Sequence, residues 1–230
     1  MLTARLVESR ELAPEVRHFV FETPEVERLT FQPGQFVSLT EALDGKPVTR
    51  AYSIAGSPAP NRFELCLNRV QDGRLSPHLF AMRPGDTISM KGPLGTFVWR
   101  KPVGPSILVA TGTGIAPFRS MLQEELASGN DAPLTLIFGA RYEHGLLYRE
   151  EFERAAAQHA RFRFWPTITR PGESWSGRTG RVQPHLLEAL GGSTAFHVYV
   201  CGLKEMVDDV RALLKECGFD RRQIVYEKYD

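Results

Sequence analysis

The chain has 230 residues, 42% of them hydrophobic, with 28 Lys plus Arg set against 27 Asp plus Glu. That is apolar material for one large domain or two of ordinary size, and so even a charge balance gives no field that would favour nucleic acid or an anionic membrane. Cys66, Cys201 and Cys217 are too few and too scattered for an iron–sulfur cluster or a paired zinc site, so no metal and a reduced, cytoplasmic setting are expected.

The N-terminal run Met1–Glu8 meets its first acid early and has no long apolar stretch, which argues against a signal peptide or a membrane span. From there to about Arg100 the apolar pattern is short and alternating: Glu15 to Phe21, Gln35 to Leu39 and Arg62 to Leu67 read as strands. Turn formers separate them at Pro33-Gly34, Asp44-Gly45, Pro58 to Asn61, Pro84 to Asp86 and Gly92-Pro93, and one short helix is expected around Ser76 to Met82. Many short strands with frequent turns predict a small antiparallel β-barrel. After Lys101 to Pro105 the period changes. Continuous apolar runs at Ser106 to Ala110 and Leu134 to Phe138 alternate with helix-length segments at Pro117 to Leu126 and Tyr148 to Gln158. Phe162 to Ile168, Pro184 to Leu190, His197 to Val200 and Lys204 to Glu216 continue the alternation. This predicts an α/β domain with a parallel sheet. The expected domains are 1–101 and 102–230.

Within the first half, Arg50-Ala51-Tyr52-Ser53 places a cation, a flat ring and a hydroxyl on one extended segment. An isoalloxazine with its phosphates would use such groups: Arg50 on phosphate, Tyr52 stacked on the ring, Ser53 reaching N5. A plain barrel strand with Tyr52 in the core and Arg50 in solvent fits the same residues. Downstream, Gly73-Arg74-Leu75-Ser76 opens the short helix, where amides and the Ser76 hydroxyl suit either a second phosphate or an ordinary helix cap.

In the second half, Thr111-Gly112-Thr113-Gly114 ends a buried strand and leads into a helix, a setting in which glycines let main chain approach a pyrophosphate. The pattern is Gly-x-Gly-x-x-Pro, a departure from the three-glycine dinucleotide fingerprint. A 2′-phosphate would need cations; Arg141, Arg170, Arg178 and Arg181 follow the carboxyl ends of strands.

These segments, with Gly92 to Phe97, Val198 to Lys204 and the tail Glu227-Lys228-Tyr229, occur in the same order as in the ferredoxin–NADP reductase family, which the whole chain resembles. The resemblance implies an FAD-binding barrel that holds the cofactor through Arg50, Ala51, Tyr52, Ser53 and the Gly73 to Ser76 turn. It also implies a pyridine-nucleotide domain using Thr111, Gly112, Thr113, Gly114, Cys201 and Gly202, with Arg170 and Arg181 at positions that bacterial members use for the 2′-phosphate of NADPH. By the same resemblance Ser53, Cys201, Glu227 and Tyr229 are the catalytic set, with Tyr229 as a stacking gate. Asp230 departs from members in which the tyrosine is last. The expected activity is electron transfer between NADP(H) and a separate ferredoxin or flavodoxin. Alternatives are a free-flavin or ferric reductase, a monooxygenase reductase component, and a non-catalytic flavin-binding sensor. FMN in place of FAD and NADH in place of NADPH also stay open. A monomer is expected. The six histidines form no local metal or triad signature, no serine sits in a hydrolase elbow, and Arg221-Arg222 is either solvated or a docking point for an acidic carrier.

Overall fold

The computed structural model describes residues 1–229, so Asp230 and its effect on Tyr229 lie outside the described residues. The chain divides into two compact units, one of Met1–Val98 with Ala116–Glu124, the other of Trp99–Ile115 with Glu125 onward.

The first unit is an antiparallel sheet of β1 (Leu2–Ala13), β2 (Val16–Glu22), β3 (Phe36–Leu43), β4 (Lys46–Ser53), β5 (Arg62–Asn68) and β6 (Thr87–Leu94). Its order is β4-β3-β6-β1-β2-β5, and a bridge between Ile54 and Leu65 joins the two outer strands into a barrel. Alternation sends Phe19 and Phe21 of β2 inward; Phe21 stacks on Phe63, its direct cross-strand partner, with ring centroids 5.5 Å apart. Leu6, Leu39, Leu65, Leu79 and Met90 complete a core from which water is excluded. The short helix α1 (Leu75–Ala81) lies where the sequence puts it. β1 carries the longest strand of the barrel, although its Arg and Glu residues mask the alternation that buries Ala4 and Leu6.

The second unit is a parallel sheet of β7 (Ser106–Thr111), β8 (Leu134–Ala140), β9 (Phe162–Ile168), a two-residue β10 (Arg178–Thr179), β11 (His197–Leu203) and β12 (Ile224–Tyr229). The order is β10-β9-β8-β7-β11-β12, so successive connections run one way from β7 and then reverse to β11. The crevice outside the carboxyl ends of β7 and β11 is therefore the switch point where doubly wound sheets bind ligands. β7 and β11 are buried along almost their whole length, as strands covered on both faces must be. The helices are α2 (Ile115–Ala127), α3 (Arg149–Gln158), α4 (Val182–Leu190) and α5 (Lys204–Glu216). Most of α2, residues 116–124, belongs to the first unit. It starts two residues before the expected Pro117, because Gly112–Gly114 form a 3₁₀ turn that runs into it. Pro117 is tolerated there since first-turn amides have no partner inside the helix. The tail, expected only as a motif, is the edge strand β12. No described helix is long and apolar enough to cross a membrane.

Candidate functional site

In the first unit, β4 presents Thr49, Arg50 and Ala51 to solvent while Tyr52 is half-buried and Ser53 buried. The Arg50 guanidinium spends one donor on the Thr49 carbonyl at 2.8 Å, which leaves most of its fork outward. Burial pushes the Tyr52 hydroxyl up to about 12, partly offset by Arg50. Tyr52 is thus a neutral ring beside a cation, a pairing that suits an aromatic ligand carrying phosphate.

No side chain caps α1, whose N-cap residue is Arg74, so the helix-cap reading of Ser76 does not hold and its hydroxyl ties the preceding turn instead. The Ser76 hydroxyl accepts from the Val70 amide at 3.0 Å, and the Gly73 amide donates to the Val70 carbonyl at 2.9 Å. A Cβ on Gly73 would stand 3.2 Å from Ser76 Oγ, so glycine keeps this turn tight. Leu75 is buried, and Arg74 turns to the β3–β4 hairpin, donating to the Leu43 carbonyl and to Asp44 Oδ2 at 3.0 Å. Ser76 retains its own proton to donate.

The second unit gathers its glycine candidates at the switch point, while the candidate arginines lie at β8, β9 and β10. Gly112 has φ +55°, and nothing lies within 4 Å of where its Cβ would be; Gly114 packs so closely that a Cβ would lie 2.4 Å from the Cys201 carbonyl oxygen. Gly202, at φ +147°, would place a Cβ 2.4 Å from Thr111 Oγ1. Gly112 opens space, Gly114 lets main chain approach main chain, and Gly202 makes room for the Thr111 side chain. Thr111 Oγ1 is buried and has no hydrogen-bond partner, an orphaned polar atom that a ligand hydroxyl or phosphate would satisfy. These features fit a bound dinucleotide.

Strand pairing brings the next three residues together. In the register of β11 with β12, Cys201 stands opposite Glu227 and Leu203 opposite Tyr229. Cys201 is fully buried, which raises its thiol well above the usual range; Glu227 adds to the rise and a hydrogen bond from the Tyr229 side chain opposes it. Cys201 is therefore a neutral thiol, not a nucleophilic thiolate.

The four arginines separate into two kinds. Arg178 donates both Nη atoms to Glu188 at 2.5 and 2.7 Å and lies 3.9 Å over the Trp165 ring, so it is engaged within the fold. His185 braces the same loop, with Nε2 3.0 Å from both Thr167 Oγ1 and the Thr179 carbonyl. Arg141 and Arg170 are exposed on neighbouring loops tied by a bond from the Arg170 amide to the Arg141 carbonyl at 2.9 Å. Arg181, 77% exposed in its side chain, stands at the N-cap position of α4 without a side-chain cap bond and makes a loose 3.7 Å pair with Asp209.

Sequence reasoning passed over a second cluster, in the first unit. Arg119 on α2 and Glu64 on β5 form an ion pair at 2.5 Å, and Glu64 Oε2 is also 3.6 Å from the buried His18 Nε2. Burial lowers His18 to about 4, with Glu64 opposing and Arg119 and Arg10 assisting. Residues 18, 64 and 119 carry no spacing signal that would join them. No group of three metal-ligating side chains exists among the described residues.

The oxidoreductase FAD-binding domain family matches residues 3–99 and the oxidoreductase NAD-binding domain family residues 108–212. The chain is 44% identical to ferredoxin–NADP reductase B of Sorangium cellulosum over 99% of its own length and 97% of that protein. It is 30% identical to the toluate 1,2-dioxygenase electron transfer component of Pseudomonas putida, over 96% of this chain but only 65% of that one. A crystal structure of a ferredoxin NADP+ reductase from Neisseria gonorrhoeae with bound FAD and NADP superposes with a TM-score of 0.83 at 28% identity, covering 98% and 97% of the two chains. With a flavin domain followed by a nucleotide domain whose loop sits at the switch point, and with a relative this similar from end to end, the chain is an FAD- and NAD(P)-binding oxidoreductase that belongs to the ferredoxin–NADP reductase family.

Proposed function

We propose that the protein passes electrons between NADP(H) and a separate one-electron carrier, ferredoxin or flavodoxin, by way of FAD. The observation that carries this reading is the pairing of β11 with β12, which sets Cys201 against Glu227 and Tyr229 beside the glycine loop. When bound, FAD supplies the exchange of an electron pair with nicotinamide for single electrons with a carrier. The chain's own residues bind and orient. Arg50 and the Gly73 to Ser76 turn hold the flavin phosphates, Ala51 and Tyr52 border the ring, and Ser53 donates toward N5. Thr111, Gly112, Thr113 and Gly114 take the pyrophosphate of the nucleotide, and Arg141, Arg170 and Arg181 its 2′-phosphate.

Nicotinamide is held beside Cys201 and Gly202. The neutral Cys201 thiol would add no charge beside the nicotinamide, and the Glu227 carboxylate would stabilise positive charge on it and could pass a proton. Tyr229 competes for the place next to Cys201, so nicotinamide must displace its hydroxyl. Tyr229→Ser is expected to raise affinity for the oxidised nucleotide, and unchanged binding in a spectral titration would remove the gate.

The 30% identity to an oxygenase electron transfer component favours a second reading with the same chemistry and a different acceptor. One experiment addresses both. The flavin is released and identified, the protein is titrated anaerobically with NADPH and NADH, and turnover is followed with ferredoxin, flavodoxin, free flavin and ferric chelates. FAD, a higher kcat/KM for NADPH and turnover with ferredoxin or flavodoxin are expected from a cytoplasmic monomer. A preference for NADH, or turnover with ferric chelates alone, defeats the reading.

A further inference from the structure

Helix α2 carries three polar side chains that reach one short stretch of main chain. Arg119 Nη1 donates to the Ala55 carbonyl at 2.8 Å and Ser120 Oγ to the Gly56 carbonyl at 2.7 Å. Ser57 donates its amide and its hydroxyl to Gln123 Oε1 at 2.8 and 2.9 Å. Positions 119, 120 and 123 are neighbours on one helical face and meet residues 55, 56 and 57 in order. From the barrel side, the Ile54 amide donates to the Gln35 carbonyl at 2.9 Å and the Ala55 amide to the Glu64 carbonyl at 2.7 Å.

Arg119 is only 9% exposed. A guanidinium so far from water requires an anion, and Glu64 supplies it. The Glu64 carboxylate lies over Gly56, where a Cβ would stand 2.6 Å from Glu64 Cδ. A buried pair of this kind adds little stability over an apolar pair of the same volume. What it adds here is direction: a charge-assisted bond aimed at one carbonyl two residues beyond Ser53.

We infer that Arg119, with Glu64 as its counter-ion, is a positioning residue that acts through Ala55 to fix Ser53 toward the flavin. This rests on the reading of Ser53 as the group that addresses N5. It assigns a role in flavin chemistry to a side chain that touches neither cofactor nor substrate.

The test uses Arg119→Met, Arg119→Lys, Ser53→Ala and the double variant Arg119→Met with Ser53→Ala as holoenzymes, together with amide hydrogen exchange and FAD titration of the apoproteins. Arg119→Met is expected to speed exchange at 54–57, weaken FAD binding and slow flavin reduction about tenfold at saturating NADPH with KM unchanged. Arg119→Lys, which can still donate to the Ala55 carbonyl, falls between Met and the parent. The double variant is no slower than Ser53→Ala, since both changes remove one interaction. Ser53→Ala slow with Arg119→Met at the parent's rate and protection, or additive losses, overturns the role of Arg119 alone. Ser53→Ala at the parent's rate overturns the reading of Ser53 and this inference with it. If Arg119→Met does not fold, Arg119→Lys decides, and parental exchange and rate in it overturn the inference.

Discussion

The two units build their candidate sites by opposite means. In the first, charged and polar side chains, Glu64 and Arg119 beside His18, with Ser120 and Gln123, grip the main chain at residues 55–57. In the second, the candidate loop is shaped where side chains are missing, at Gly112, Gly114 and Gly202, around one orphaned hydroxyl on Thr111. The first arrangement responds to pH and to charge removal, the second to added volume. A substitution that is harmless in one is disruptive in the other.

Added volume gives the largest expected effect. Gly114→Ala drives a methyl into the Cys201 carbonyl, where backbone cannot yield cheaply, so stability should fall by about 3 kcal/mol or more in denaturant unfolding, with nucleotide binding lost. Next comes acid. Burial lowers His18 to about 4 in the folded protein, against an ordinary value of 6.5, so the unfolded state binds the extra proton first. Its contribution is complete above about pH 6.5 and is lost as pH falls toward 4, a drop on the order of 3 kcal/mol in urea titrations. His18→Gln should flatten that slope. Gly112→Ala comes third: it meets no neighbour and has only its left-handed φ to bear, about 1 kcal/mol, yet its methyl would enter the space proposed for pyrophosphate, so NADPH titration should show weaker binding. The smallest effect on stability is Arg181→Ala, expected to leave Tm unchanged because the side chain is 77% exposed with one loose partner. It should still lower kcat/KM for NADPH relative to NADH.

That contrast also explains what could be read in advance. A loop shaped by main chain leaves glycines in the sequence, and the turn at Gly112-Thr113-Gly114 was visible for that reason, whereas Cys201 and Gly202 were expected only from the family resemblance. Both architectures were legible from the change in period near residue 101, and α5 and β9 fall on their expected residues. The clamp was not legible, because residues 18, 64 and 119 are distant in sequence and each is ordinary where it stands. Ser76 shows a different limit: helix cap and phosphate ligand would use the same hydroxyl, and the bond it accepts from the Val70 amide, which is not a helix cap, appears only once the turn is folded. β12 went unread as a strand because Glu227 and Lys228 interrupt its apolar pattern, although pairing with β11 is what places them.

Residues 116–124 are assigned with the barrel while the loop before them and the strand after them are not. The polypeptide therefore crosses the division three times, after Val98, after Ile115 and after Glu124. A chimera cut once near residue 99, where the two domain families would invite it, would keep the barrel of one parent and receive the helix of the other. Glu64 and the Ala55 carbonyl would then face whatever that parent carries at position 119. Parents exchanged in this way would need to be matched at 64 and 119 together, so these halves are not interchangeable modules, however separately they are inherited in name.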